Sequence, residues 1–146
     1  MPYKHILVPT DGSDLSGRAV DEAVAFARSV GARITALTVS PPFQLDGYEP
    51  FLVTVTPTQH ERAHETRARE VLGDVRSRAS AAGVPCEVMA VVNDAPWQAI
   101  IEIAQRQGCD LVFMASHGRR GVAGMLLGSE TQRVLTHCKV PVLVYR

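Results

Sequence analysis

Short runs of apolar, largely β-branched residues alternate along the chain with longer segments in which apolar side chains recur every three or four positions. The short runs are His5–Thr10 (HILVPT), Arg33–Ser40 (RITALTVS), Cys86–Val92 (CEVMAVV), Leu111–Ser116 (LVFMAS) and Val140–Tyr145 (VPVLVY), and they read as strands. Most are apolar on both alternating faces. Such strands need cover on each side, which predicts a parallel sheet between two helical layers.

The longer segments read as helices. From Asp14 to Val30, Leu15, Ala19, Ala23, Phe26, Ala27 and Val30 form one stripe, and Gly31 ends it. A second helix, from about Thr58 to Ala82, has Val71, Leu72, Val75 and Ala79 on a charged background, with Gly83 and Pro85 beyond its end. A third is expected to start at Asp94-Ala-Pro96, Asp94 capping it, and a fourth after Gly128-Ser129, reaching about Cys138. This alternation implies right-handed crossovers and one open, doubly wound α/β domain over residues 1–146.

Composition then narrows the function. Fifteen Lys and Arg balance fifteen Asp and Glu, so no global field draws the chain to nucleic acid or to anionic lipid, and any anion site has to be local. The three cysteines, Cys86, Cys109 and Cys138, are odd in number and set among apolar residues, as expected of buried thiols in a reducing compartment. The opening MPYKHILVPTDGS is broken by Pro9 and Asp11, so it is read neither as a signal peptide nor as a membrane span, and a cytoplasmic protein is expected.

The candidate chemistry lies at Ala115–Glu130, ASHGRRGVAGMLLGSE, which holds four glycines and two arginines. In an open parallel sheet, ligands sit beyond the carboxyl ends of the strands, where the strand order reverses. Two small, polar segments leave such ends, Pro9–Ser13 and the glycine loop. They share a ligand only if their strands are neighbours, which the five-strand order 3-2-1-4-5 achieves. Glycines admit phosphate oxygens to the main chain, and a helix starting at Ser129 adds free N–H groups. Neither the Walker pattern nor Gly-x-Gly-x-x-Gly occurs, and on these residues alone a loop that merely turns a corner stays open beside a nucleotide site.

ILVPTDGS, DLVFMASHGRRG, LLGSETQRVL and the ending PVLVYR, in that order, resemble the universal stress protein family over nearly the whole chain. The resemblance implies a Rossmann-like fold of the adenine nucleotide alpha hydrolase type. It also implies an ATP-binding stress-response or regulatory protein with slow or no hydrolysis, ATP being held with Mg2+. By the same resemblance, Asp11 faces the ribose, Pro9 and Thr10 shape the floor, and main-chain groups at Val39 meet the adenine edge. Met114 and Ala115 line the ribose side; Gly118, Gly128, Ser129 and Thr131 surround the phosphates, and Arg119 and Arg120 close over them. The chain departs from the family's Gly-x2-Gly-x9-Gly-Ser loop at its first position, Ala115, whose methyl is expected to crowd the ligand, and at Glu130, where relatives carry a small apolar residue. A protein of this fold acting only through protein partners is the alternative those two departures suggest. A weak ATPase is a further one.

HERAH, His60–His64, matches the zinc-protease pattern, but it opens a strongly charged helix whose later positions hold Arg67 and Glu70, so a zinc hydrolase is disfavoured. His117 is expected to bond the loop's own backbone. The segment Pro41–Pro57 is long for a connection and reads as a lid or a packing flap. Val140–Tyr145, apolar and last in the sheet order, is an unprotected edge expected to pair with a second copy, giving a homodimer.

Overall fold

The computed structural model describes residues 3–43, 56–118 and 126–146. Nine elements alternate along these residues: β1 His5–Pro9, α1 Asp14–Val30, β2 Arg33–Ser40, α2 Pro57–Ala81, β3 Cys86–Val92, α3 Pro96–Arg106, β4 Leu111–Ala115, α4 Ser129–His137 and β5 Val142–Tyr145. The strands form one parallel sheet in the order β3-β2-β1-β4-β5. β1 and β4 are therefore neighbours, as a ligand shared by their loops requires.

Alternation along the strands divides the core in two. Ile6 and Val8 of β1, Ile34 and Ala36 of β2, and Leu111, Phe113 and Ala115 of β4 face α1 and α2. Leu7, Leu37, Val112 and Met114 face the other way, against Ile100 and Ile103 of α3 and Val134 of α4. Each large aliphatic side chain so buried is worth about 1.5–3 kcal/mol. The edge strands are less covered than the pattern implied: Glu87, Ala90 and Val92 of β3 are exposed, and all four residues of β5 are half-buried.

Local signals explain most helix boundaries. Ser13 caps α1 by accepting the Ser16 N–H, and Gly31 closes it at φ 71°, in the left-handed region that glycine tolerates. Thr56 and Gln59 form a reciprocal capping box on α2. Asp94 does not cap α3. The N-cap is Ala95, which has no capping side chain, because Asn93 Oδ1 has already turned the chain by accepting the Ala95 N–H at 2.8 Å. Only Cys109 of the three cysteines is fully buried; Cys86 and Cys138 are half-buried, because they stand at an edge strand and at a helix end. Burial pushes the Cys109 thiol up to about 11, which leaves it a packing group rather than a nucleophile. No helix among the described residues is long and apolar enough to cross a membrane.

Candidate functional site

A cavity of about 590 Å³ opens beyond the carboxyl ends of β2, β1 and β4. Four of its walls come from segments that the sheet order brings together: the β1–α1 turn, the end of β2, the β3–α3 loop, and the two described ends of the glycine loop running into α4.

The β1–α1 turn is tightly self-bonded. Gly12 adopts φ 79°, which reverses the chain at once, and Asp11 Oδ1 accepts the Ser13 N–H at 2.9 Å. The Thr10 and Ser16 hydroxyls bond to each other, and Thr38 Oγ1 donates to the Thr10 carbonyl at 2.6 Å. Asp11 is thereby fixed at the cavity wall. Across from it stands Gly118, at which any Cβ would run into the Asp11 carboxylate. The glycine is needed there for close approach.

Gly128 plays the matching part at the far end of the loop. Its φ of −71° is ordinary, but a Cβ would lie 3.2 Å from His117 Cα and Cβ, and its N–H bonds the Ser116 carbonyl at 2.7 Å. The two ends of the glycine loop are thus stitched together. α4 starts from that point at Ser129, so its first N–H groups and the positive end of its dipole meet the cavity. Thr131 lines the cavity while its buried Oγ1 donates to the Ala115 carbonyl at 3.0 Å, bracing α4 against β4.

Val39 offers main-chain groups. In a parallel sheet both polar groups of a residue point to the same neighbour, and the neighbour alternates along the strand. The Leu37 carbonyl accepts the Thr10 N–H and the Ser40 carbonyl accepts the Asn93 N–H, so Leu37 faces β1 and Ser40 faces β3. Two residues beyond Leu37, Val39 also faces the β1 side, where the paired register has ended at Pro9–Leu37. Its N–H and C=O therefore point over the end of β1, beside the cavity that Val39 helps to line.

Asp11, Val39, Gly118, Gly128, Ser129, Glu130 and Thr131 thus share one cavity. Pro9, Thr10, Met114 and Ala115 lie beneath it in the ends of β1 and β4 rather than at its walls. Ala115 is turned away by strand alternation: its methyl belongs to the cluster with Leu111 and Phe113 under α1. Arg119 and Arg120 lie outside the described residues.

Glu130 reaches sideways. Its Oε2 accepts the Trp97 N–H at 2.8 Å, supplying from α4 the cap that α3 lacks, and Oε1 stands 3.4 Å from Arg133. His117 Nδ1 meets the Ser116 hydroxyl at 3.2 Å, and most of the loop whose backbone it was expected to bond lies outside the described residues.

A fifth wall was not foreseen. His64, Arg67, Ala68 and Val71 of α2 line the cavity, at the i, i+3, i+4, i+7 spacing of a single helix face. Thr38, Ser40, Pro41, Asn93, Asp94 and Pro96 add smaller parts. The α2 spacing was present in the sequence, hidden because two of its members are basic and the face they form meets a cavity instead of a core.

The His60 ring stands edge-on to Phe43 at 5.3 Å and 4.2 Å from that of His64, with Nε2 toward the Pro41 carbonyl at 3.4 Å. Burial, and then the neighbouring His60, lowers the pKa of His64. Among the described residues no three His, Cys, Asp or Glu side chains gather to hold a metal ion. Residues 44–55, the greater part of the expected flap, lie outside the described residues.

Comparison with known proteins matches the chain to a family model, described as the universal stress protein family, over residues 2–146. A universal stress protein of Thermus aquaticus is 32% identical over 144 residues, which span 99% of each chain. The solved structure of MJ0577, from Methanocaldococcus jannaschii, superposes with a TM-score of 0.83 at 27% identity, covering 99% of this chain and 96% of that one. A universal stress protein solved in complex with cAMP is 31% identical, with a TM-score of 0.74 and coverage of 100% and 99%.

Proposed function

This chain belongs to the universal stress protein family, and on that premise we propose that it is a regulatory module that binds an adenine nucleotide in the cavity at the β1–β4 switch point. The observation that carries the reading is the close approach of Gly118 to Asp11, beside a helix start at Ser129 and the outward-facing main chain of Val39. Val39 meets the adenine edge and Asp11 the ribose. Gly118, Gly128 and Ser129 hold phosphate through main-chain N–H groups, over a floor of Pro9, Thr10, Met114 and Ala115, with Arg119 at the mouth. ATP with a divalent cation is the ligand this arrangement favours, held with slow or no hydrolysis. A cyclic or simple monophosphate is the second reading, favoured by the relative solved with cAMP.

Mass spectrometry of nucleotide released from the purified protein, with thermal shifts on adding Mg-ATP, AMP and cAMP, tests the proposal. A ligand at a hundredfold excess over its Kd adds about 2.7 kcal/mol to stability, a plain rise in Tm. No released nucleotide and no shift with any of the three overturns it, in favour of a protein acting only through partners. The same reading has two copies pairing along β5, whose Val142–Tyr145 edge is half-buried in one chain. Light scattering that reports a lone chain of 15.8 kDa overturns that part.

A further inference from the structure

Among the described residues, His5 Nδ1 is the one buried side-chain nitrogen or oxygen without a hydrogen-bond partner. His5 is 4% exposed, and strand alternation explains its burial. Ile6 and Val8 face α1 and α2, so His5 turns with Leu7 to the α3 side of the sheet. There Nε2 meets Thr35 Oγ1 of β2 at 2.7 Å, and Thr35 is itself fully buried.

A neutral imidazole keeps one N–H and one lone pair, and the Thr35 hydroxyl can satisfy either at Nε2. The ring is then buried at the cost of one unmade bond. Once protonated, both nitrogens donate, and Nδ1 holds a charged N–H away from water with no acceptor bonded to it. Burial, and then the Arg33 guanidinium of β2, accordingly lower the pKa of His5, while Glu87 of β3, Asp110 before β4 and lastly the Gln107 main chain after α3 pull the other way. Cys109, buried on the same side of the sheet, is pushed up to about 11 and stays a neutral thiol.

His5 also stands where three strands are joined. Its N–H goes to Asp110 Oδ1 at 3.0 Å and its carbonyl takes the Asp110 N–H at 2.9 Å, while the Lys4 carbonyl before it takes the Arg33 N–H at 3.0 Å. A charged ring that moves toward water disturbs this junction first, because the ends of elements open at lower cost than the core.

From this arrangement we infer that His5 is a proton-operated latch at the amino end of the sheet, closed while the ring is neutral and opened there, ahead of the carboxyl end that carries the cavity, when the ring takes a proton. The latch is independent of what the cavity binds. Its sign follows from the lowered pKa: the stability of the neutral ring is whole above the unfolded value of about 6.5 and is lost as pH falls through that value toward the folded one.

The test compares wild type with His5→Gln, whose amide can bond Thr35 but takes no proton. Chemical denaturation from about pH 8 to about pH 5 should show wild type losing stability more steeply, the difference approaching one proton, about tenfold in the folding constant per pH unit. His64, whose pKa is also lowered, and the carboxylates are common to both proteins and cancel. In wild type, hydrogen exchange at about pH 5.5 should find protection lost at the Arg33 and Asp110 amides and kept at those of Thr10 and Ser116. Parallel pH curves for the two proteins overturn the inference, as does protection lost evenly at both ends of the sheet. Should His5→Gln not fold, the NMR titration of the His5 ring in wild type decides. A midpoint below about 6.5, or no titration before the chain unfolds, is expected, and a midpoint at or above that value overturns the inference.

Discussion

The two ends of the sheet are built from similar residues and put them to opposite use. At the amino end, Asp110 accepts from the Lys4 N–H at 2.8 Å and from the His5 N–H at 3.0 Å, while its own N–H returns to the His5 carbonyl. His5 Nε2 meets Thr35 Oγ1 at 2.7 Å, and the Pro85 and Pro141 carbonyls take the Ile34 and Val112 N–H groups. Most polar groups there close on one another, although the buried His5 Nδ1 has no hydrogen-bond partner among the described residues. At the carboxyl end, β1 stops after Pro9 while β2 runs on to Ser40, so a step in the sheet leaves main chain facing a cavity. What distinguishes a site from a seal here is strand length and loop composition more than residue type. An aspartate at each end shows it: Asp110 gives both oxygens to the backbone beside it, whereas Asp11 gives Oδ1 to the Ser13 N–H and stands at a cavity wall against a glycine.

The sharpest test of this contrast is Asp110→Ala. It removes a charged acceptor from two main-chain N–H groups, one exposed and one part-buried, and should cost about 2 kcal/mol of stability. Chemical denaturation measures the loss. Nucleotide affinity should stay unchanged, since Asp110 lies at the far end of the strands; a change in Kd alongside the loss of stability would show the two ends to be coupled.

Glu130→Ala probes the open end for groups that serve structure alone. The carboxylate caps α3 from α4, and losing such a cap typically costs about 1 kcal/mol. Its pair with the exposed Arg133 adds little. Denaturation should therefore report a modest loss with nucleotide affinity little changed. A marked gain in affinity with no loss of stability would mean that the carboxylate faces the ligand instead of α3.

How much of this could be read beforehand follows from the range of each signal. The strands and most helix limits rest on periodicity and on turn residues, which are local, and the strand order follows from asking that the Pro9–Ser13 and glycine loops share a ligand. Gly118 is a local signal too, although the need for it comes from Asp11, which is distant in sequence. Glu130 was legible as a departure but not as a cap, because its partner Trp97 comes from another helix that itself lacks a capping side chain. Arg67 and His64 were hidden by composition: in a helix so rich in charge, a basic residue on the cavity face looks like any other on the solvent face.

Ala115 carries the smallest effect and separates two accounts of the same atom. In the family's loop pattern its position belongs to a glycine, and a methyl there would be read as crowding the ligand. In the fold, Ala115 is the last residue of β4, and alternation sends its methyl to the α1 side with Leu111 and Phe113, while Met114 takes the opposite face. What Ala115 offers toward the cavity is its carbonyl, and Thr131 Oγ1 already holds that. Ala115→Gly should therefore lose one buried methyl and gain chain entropy in the unfolded state, a cost of about 1 kcal/mol. Calorimetry should find nucleotide affinity unaltered, because nothing at the cavity wall has moved. Tighter binding with stability intact would place the methyl in the ligand's path, and the division of β4 into a core face and a cavity end would then have to be redrawn.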